Sequence, residues 1–193
     1  GDSETNPWIE RGPNNIGGRT RVILFDPNDD SHKKVYAGGV SGGLWYNNDI
    51  TDVSSSWYQV NGVPGNMNVS SITVDPRDSN VWYLGTGEQY TAGDVVGNGV
   101  YKTTDGGENW ANVSLQAMGV GDLTGNSELL SGIYFINDII AWDNGTSTDV
   151  FVAVGGFIYS TASSPDNWLG LQSAGLYKSS DAGSSWARIE NSS

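Results

Sequence analysis

Gly99-Val100-Tyr101-Lys102-Thr103-Thr104-Asp105-Gly106-Gly107-Glu108-Asn109-Trp110 returns later in the chain as Gly175-Leu176-Tyr177-Lys178-Ser179-Ser180-Asp181-Ala182-Gly183-Ser184-Ser185-Trp186. In each copy an apolar, aromatic-rich strand runs into a tight turn, and a tryptophan opens the returning strand. The turn restricts what can stand where. A carboxylate at Asp105 or Asp181 can accept hydrogen bonds from turn amides, and Gly107 or Gly183 can take a positive φ. The Thr103 or Ser179 hydroxyl can add a bond across the turn, and Trp110 and Trp186 carry enough apolar area to lock each hairpin onto a neighbouring layer. A third, damaged copy reads Gly43-Leu44-Trp45-Tyr46-Asn47-Asn48-Asp49, with Trp57 reached only after extra residues.

Around these hairpins the chain reads as short strands separated by turns. Strands are expected over 21–25, 34–37, 44–46 and about 57–60, then over 69–74, 81–85 and the first good hairpin, then over 135–142, 150–154 and the second. Asp26-Pro27 and Asp75-Pro76 mark the same first turn in consecutive units, and Asn144-Gly145 marks it in the third. Helix signals are confined to 115–118 and 127–130, each one turn long. The order strand, turn, strand, connector, Asp hairpin thus occurs three times, and self-similarity at this period signals a repeat architecture. The domain reading is an extended lead-in over 1–16 and an all-β partial propeller over 17–193. Its four-stranded antiparallel blades fall at about 17–62, 63–114 and 132–193, with an insertion at 115–131. Propellers close with about four to eight blades, so three would leave two apolar faces wet. The chain is therefore expected to be part of a longer polypeptide, whose remaining blades are its first partner. A twisted β-sandwich would close with these strands but leaves the repetition unexplained.

The pattern Ser/Thr-x-Asp-x-Gly-x-x-Trp resembles the Asp-box, or BNR repeat, of propellers such as sialidases, xyloglucanases and the sortilin ectodomain. A closer resemblance lies in Gly12-Pro13-Asn14-Asn15-Ile16-Gly17-Gly18-Arg19-Thr20-Arg21, in Tyr36-Ala37-Gly38-Gly39-Val40-Ser41-Gly42-Gly43-Leu44-Trp45 and in Gly85-Thr86-Gly87-Glu88. These look like the opening blades of large secreted Asp-box proteins of Bacteroidetes exported by the type IX secretion system. The resemblance implies an exported protein, extracellular or on the bacterial cell surface, whose partner is a polysaccharide or a surface or secretion-system protein.

Composition narrows the classes. The 193 residues include 27 Gly and 8 Trp, no Cys, and only 9 Lys and Arg against a net charge of −13. Scattered basic residues argue against nucleic acid or an anionic membrane, whereas a neutral polysaccharide, a cation or a basic protein is permitted. Without cysteine there is neither a disulfide framework nor a catalytic thiol. No apolar run is long enough for a membrane helix, and the start Gly1-Asp2-Ser3 reads as a processed or trimmed one. His32, the single histidine, gives little support to a catalytic triad or metal cluster and is expected in solvent. The acidic turns 26–30 and 75–78 offer oxygens to calcium but lack the regular spacing of a calcium loop, so turn formation accounts for them and no cofactor is expected.

Strand order puts three long connectors, 86–98, 114–132 and 155–174, on one face, here called upper, with the Asp turns on the other. Loops elaborated on one face of a rigid scaffold are where function concentrates. They carry Glu88, Tyr90, Asp94, Asp122, Glu128, Tyr159, Asp166 and Trp168. Tyr90, Tyr159 and Trp168 suit stacking on sugar or peptide, and Arg19 is a fourth ligand-binding candidate, with capping of neighbouring carbonyls as its structural alternative. Glycoside hydrolysis needs two carboxylates across a cleft, for which Glu88 with Asp94 or Asp122 are the candidates. The xyloglucanase resemblance implies a catalytic Asp in the second-to-third connector of the first blade, where this chain has Val40-Ser41 between glycines. The sialidase arginine triad has no match beyond Arg19 and Arg21. The leading expectation is a non-catalytic binding, adhesion or scaffold module, and the alternative a xyloglucanase-like glycoside hydrolase. The Asp-turn residues Thr103, Asp105, Gly107, Trp110, Ser179, Asp181, Gly183 and Trp186 are expected to be structural, with Trp186 facing a blade that is absent.

Overall fold

The computed structural model describes residues 9–12, 19–89, 95–113, 133–158, 168–169 and 173–189. Strands β1 (Thr20–Phe25), β2 (Val35–Gly39), β3 (Gly43–Asn47) and β4 (Trp57–Gln59) form one antiparallel sheet in chain order. A second follows the same order with β5 (Val69–Asp75), β6 (Asp78–Thr86), β7 (Val100–Thr103) and β8 (Ala111–Val113). The third begins with β9 (Phe135–Asp143) and β10 (Thr148–Gly155). A two-stranded hairpin, β11 (Phe157–Ile158) and β12 (Trp168–Leu169), intervenes before β13 (Gly175–Ser179) and β14 (Ala187–Arg188) complete the sheet. No α-helix occurs among the described residues, and the one-turn segments expected at 115–118 and 127–130 lie outside them. The architecture is a partial β-propeller of three blades.

Each blade is a sheet with two apolar faces, because successive residues of a strand point to opposite sides. On β6, Trp82 and Leu84 point towards the first blade, where they meet Val22, Tyr36, Leu44 and Val60. Tyr83 points the other way, into a layer with Ile139, Val150, Val152 and Tyr177 of the third blade. The protein therefore has two inter-blade cores rather than one central core. Burial pushes the Tyr83 phenol up to about 12.

The two Asp turns are built from the same bonds. Asp105 accepts from the Asn109 amide at 2.9 Å and from the Thr103 hydroxyl at 2.7 Å, and the Gly107 amide donates to Thr103 Oγ1. Asp181 accepts from the Ser185 amide and the Ser179 hydroxyl, each at 2.8 Å, and the Gly183 amide donates to Ser179 Oγ. Each indole nitrogen closes its turn onto the box glycine, Trp110 to Gly107 O at 3.0 Å and Trp186 to Gly183 O at 3.1 Å. Bonds to Ser185 and Ser179 hold the Asp181 carboxyl down at about 2, and those from Asn109 lower Asp105. In the damaged third copy, Asn47 takes the part of the threonine by accepting the Asp49 amide on Oδ1 at 2.9 Å. Asp49 in turn caps the Thr51 amide.

One expectation is corrected here. Trp186 does not face an absent blade: it is buried in the same core as Tyr83 and Val100 of the second blade. Trp110 likewise lies between the first and second blades with Trp82. Each Asp-turn tryptophan thus packs backwards, onto the preceding blade.

Candidate functional site

The upper face is assembled where the β2–β3 type connectors meet the starts of first strands. The Val40 amide donates to Arg19 O at 2.9 Å, the Gly43 amide to Met67 O at 2.8 Å, and the Gly97 amide to Tyr134 O at 2.8 Å. These bonds satisfy loop backbone groups that would otherwise be buried without partners, and so hold the connectors in place. Past β6, the connector pairs with itself, Glu88 N to Val95 O at 2.8 Å and Val95 N to Glu88 O at 3.0 Å.

That pairing turns the Glu88 side chain inward. The carboxylate is wholly buried and receives Arg19 Nη2 on Oε1 at 2.8 Å, with Arg21 Nε 3.8 Å from Oε2. Arg19 is 61% exposed, so the pair presents a guanidinium to solvent above a covered carboxylate. A charge taken fully out of water must be compensated, and two guanidinium groups from the neighbouring blade do this. The arrangement ties the first blade to the second. A carboxylate without solvent exposure does not hand a proton to a ligand unless the connector moves.

Of the other residues singled out from the sequence, Tyr90, Asp94, Asp122, Glu128, Tyr159 and Asp166 lie outside the described residues. Trp168 is placed on β12, which pairs with β11. Asp26 accepts the Asn28 amide and pairs with Lys34 Nζ at 3.0 Å, while Asp29 caps Ser31, Lys33 and Lys34 amides. The Asp26 and Asp29 carboxylates are thus engaged by the turn itself, and His32 stands exposed beside it at φ 56. Among the described residues no group of three or more His, Cys, Asp or Glu could hold a metal ion, and no helix is long and apolar enough to cross a membrane. Sequence reasoning missed the partnership of Glu88 with both arginines. Its only signal was the rarity of charge in so apolar a stretch as 81–101.

The fold defines the class as a partial β-propeller of three four-stranded blades. No family model matches the chain. A xyloglucanase of Hypocrea jecorina (strain QM6a) is 27% identical over 189 residues, covering 87% of this chain and 20% of that enzyme. The chain thus spans about a fifth of the length of this curated relative. Among solved structures, YCF48 bound to D1 peptide superposes with a TM-score of 0.54 at 14% identity, over 97% of this chain and 44% of that one. An ancestral GH74 enzyme gives 0.51 at 18% identity, over 89% of this chain and 20% of that one. At such identities the structural likeness speaks to the fold alone.

Proposed function

We propose that these blades belong to a larger extracellular or cell-surface Asp-box propeller that binds a polysaccharide on its upper face without hydrolysing it. The observation that carries this reading is the burial of Glu88 beneath Arg19. Among the described residues, the carboxylate on this face named as a candidate acid or base, Glu88, is engaged in joining two blades. The connector where the xyloglucanase resemblance implies a catalytic Asp reads Val40-Ser41-Gly42. Arg19 is then a hydrogen-bond donor to sugar hydroxyls, and Tyr90, Tyr159 and Trp168, on connectors that strand order assigns to the upper face, are the proposed stacking residues. Export by a type IX secretion system and attachment at a bacterial surface belong to the same proposal.

A second reading, hydrolysis of a β-glucan, is favoured by the 27% identity to a xyloglucanase. The two are separated by incubating the full-length protein with xyloglucan and measuring retention on the polysaccharide and release of reducing ends. Retention without release supports the binding reading, whereas release that disappears in Glu88→Gln assigns a hydrolase. A Tyr90→Ala, Trp168→Ala double variant that binds as well as the parent removes those two side chains from the site.

A further inference from the structure

The three blades share one inter-blade joint, filled twice and open once. Register equates Tyr36 on β2, Tyr83 on β6 and Phe151 on β10, since each stands one residue beyond the partner of the turn-opening residue, Asn47, Thr103 or Ser179. The Tyr36 and Tyr83 rings face the following blade, and Phe151 lies on the corresponding face of the third. At the first joint, a Cβ on Gly107 would lie 2.8 Å from the Tyr36 hydroxyl, and Tyr36 donates to the carbonyl of Gly106 at 3.2 Å. At the second, a Cβ on Gly183 would lie 3.5 Å from the Tyr83 ring, and Lys102 Nζ, also set against that ring, donates to the carbonyl of Ala182 at 2.8 Å. In both, the following blade lays its box glycine on the aromatic ring. The residue before that glycine gives its carbonyl to a donor of the preceding blade.

The third ring has the same equipment, but among the described residues no Asp turn lies on it; its ring neighbour is Trp142 of the same blade, with centroids 6.4 Å apart. Lys178 occupies on β13 the place of Lys102 on β7, opposite the ring in each register, with its Nζ 5.7 Å from the Phe151 centroid. Around them Ile140, Trp142 and Leu176 are exposed, Trp142 at 53%. Phenylalanine has no hydroxyl, so the donor at this joint has to be the lysine. Lys178 already meets Asp149 at 2.9 Å, and an ammonium keeps further N–H groups for a second acceptor.

We propose that the outward face of the third blade is a socket for the Asp turn of a further blade of the same polypeptide, beyond Ser193. A glycine of that turn lies on Phe151 and the carbonyl before it accepts from Lys178. The inference rests on the sheets being consecutive blades of one ring, and not on what the upper face binds. A second copy of this chain, docked through its first blade, fits poorly. Its turn has Thr51 where the glycine stands, and a side chain there would meet the ring.

Lysine footprinting of the full-length polypeptide with acetic anhydride tests this without any ligand. Lys33 is the internal control, because like Lys178 it is ion-paired to one aspartate, and the two are 45% and 37% exposed in these blades. Lys178 is expected to be acetylated at least about tenfold more slowly than Lys33, since its joint must open before it reacts. Modification of Lys178 at the rate of Lys33, with Lys102 protected, would overturn the proposal. A photoreactive benzoylphenylalanine at position 176 identifies the occupant. Capture of a downstream Ser/Thr-x-Asp-x-Gly-x-x-Trp peptide supports the socket, and capture of residues 20–60 from a second copy, or no capture, overturns it. Protection of Lys178 in a protein that fails to bind xyloglucan would leave the socket standing while removing the proposed ligand.

Discussion

Ala182 sits at φ 58, in the left-handed region that Gly106 occupies in the other turn at φ 71. A side chain in that region costs about 1–2 kcal/mol, so Ala182→Gly is expected to stabilise the protein by about 1 kcal/mol after the added freedom of the unfolded glycine is allowed for. That corresponds to a rise of about 2–4 °C in Tm at this chain length, readable by calorimetry. The two box glycines separate along the same logic. Gly107 and Gly183 have φ 90 and 87, but a Cβ on Gly107 would also lie 2.6 Å from the Trp82 ring, against 3.5 Å from Tyr83 for Gly183. Gly107→Ala is therefore expected to lower the urea midpoint clearly more than Gly183→Ala, and equal losses would show that backbone conformation alone decides. Sequence reading marked Gly107 and Gly183 as able to take a positive φ. It could not mark Ala182, because alanine carries no sign of an unusual backbone and only the bond pattern of the closed turn forces it there.

At the scale of the hairpin, carboxylate and indole divide the work. Asp105 and Asp181 organise amides at the exposed lower rim, whereas Trp110 and Trp186 are buried between blades. Truncating a buried tryptophan costs about 3–5 kcal/mol, so Trp110→Ala is expected to destabilise more than Asp105→Ala. Neither change should alter ligand binding, since both residues lie opposite the connectors. A variant that keeps its melting temperature but loses binding would refute this division. The rim also sets the response to acid. Asp181 and Asp149 are lowered from 3.8 to about 2 by bonds from Ser185 and Ser180 respectively, so the stability they contribute is complete above about pH 4 and is lost as pH falls through about 2. Urea midpoints measured across that window should fall with acid, and Asp181→Asn should flatten the fall. A parallel loss in the variant would place the acid sensitivity elsewhere.

For the whole molecule, the open ends dominate. Ile23 and Phe25 are exposed on the outer face of the first blade, and Ile140, Trp142 and Leu176 on that of the third. Apolar faces that a full ring would cover become sticky when left wet. The isolated 193-residue chain is expected to associate with rising concentration in sedimentation, and the Ile140→Lys, Trp142→Lys pair to suppress this. A monomeric parent with a cooperative melt would show that three blades suffice alone.

Residue pattern by itself determined the all-β class, the three repeats and which residues meet at each Asp turn. Those are consequences of strand periodicity and local turn chemistry, both written in short stretches such as 99–110 and 175–186. The fold alone decided which neighbour each face met. Alternation places Trp186 on the same face as Tyr177 and Ser179 but is silent on whether that face looks forwards or backwards around the ring, so the expectation that Trp186 faced an absent blade failed. The tie between Glu88 and Arg19 joins residues 69 positions apart. It became visible only when the blades stood side by side, because a buried carboxylate is recognised by what compensates it, and that partner comes from another blade.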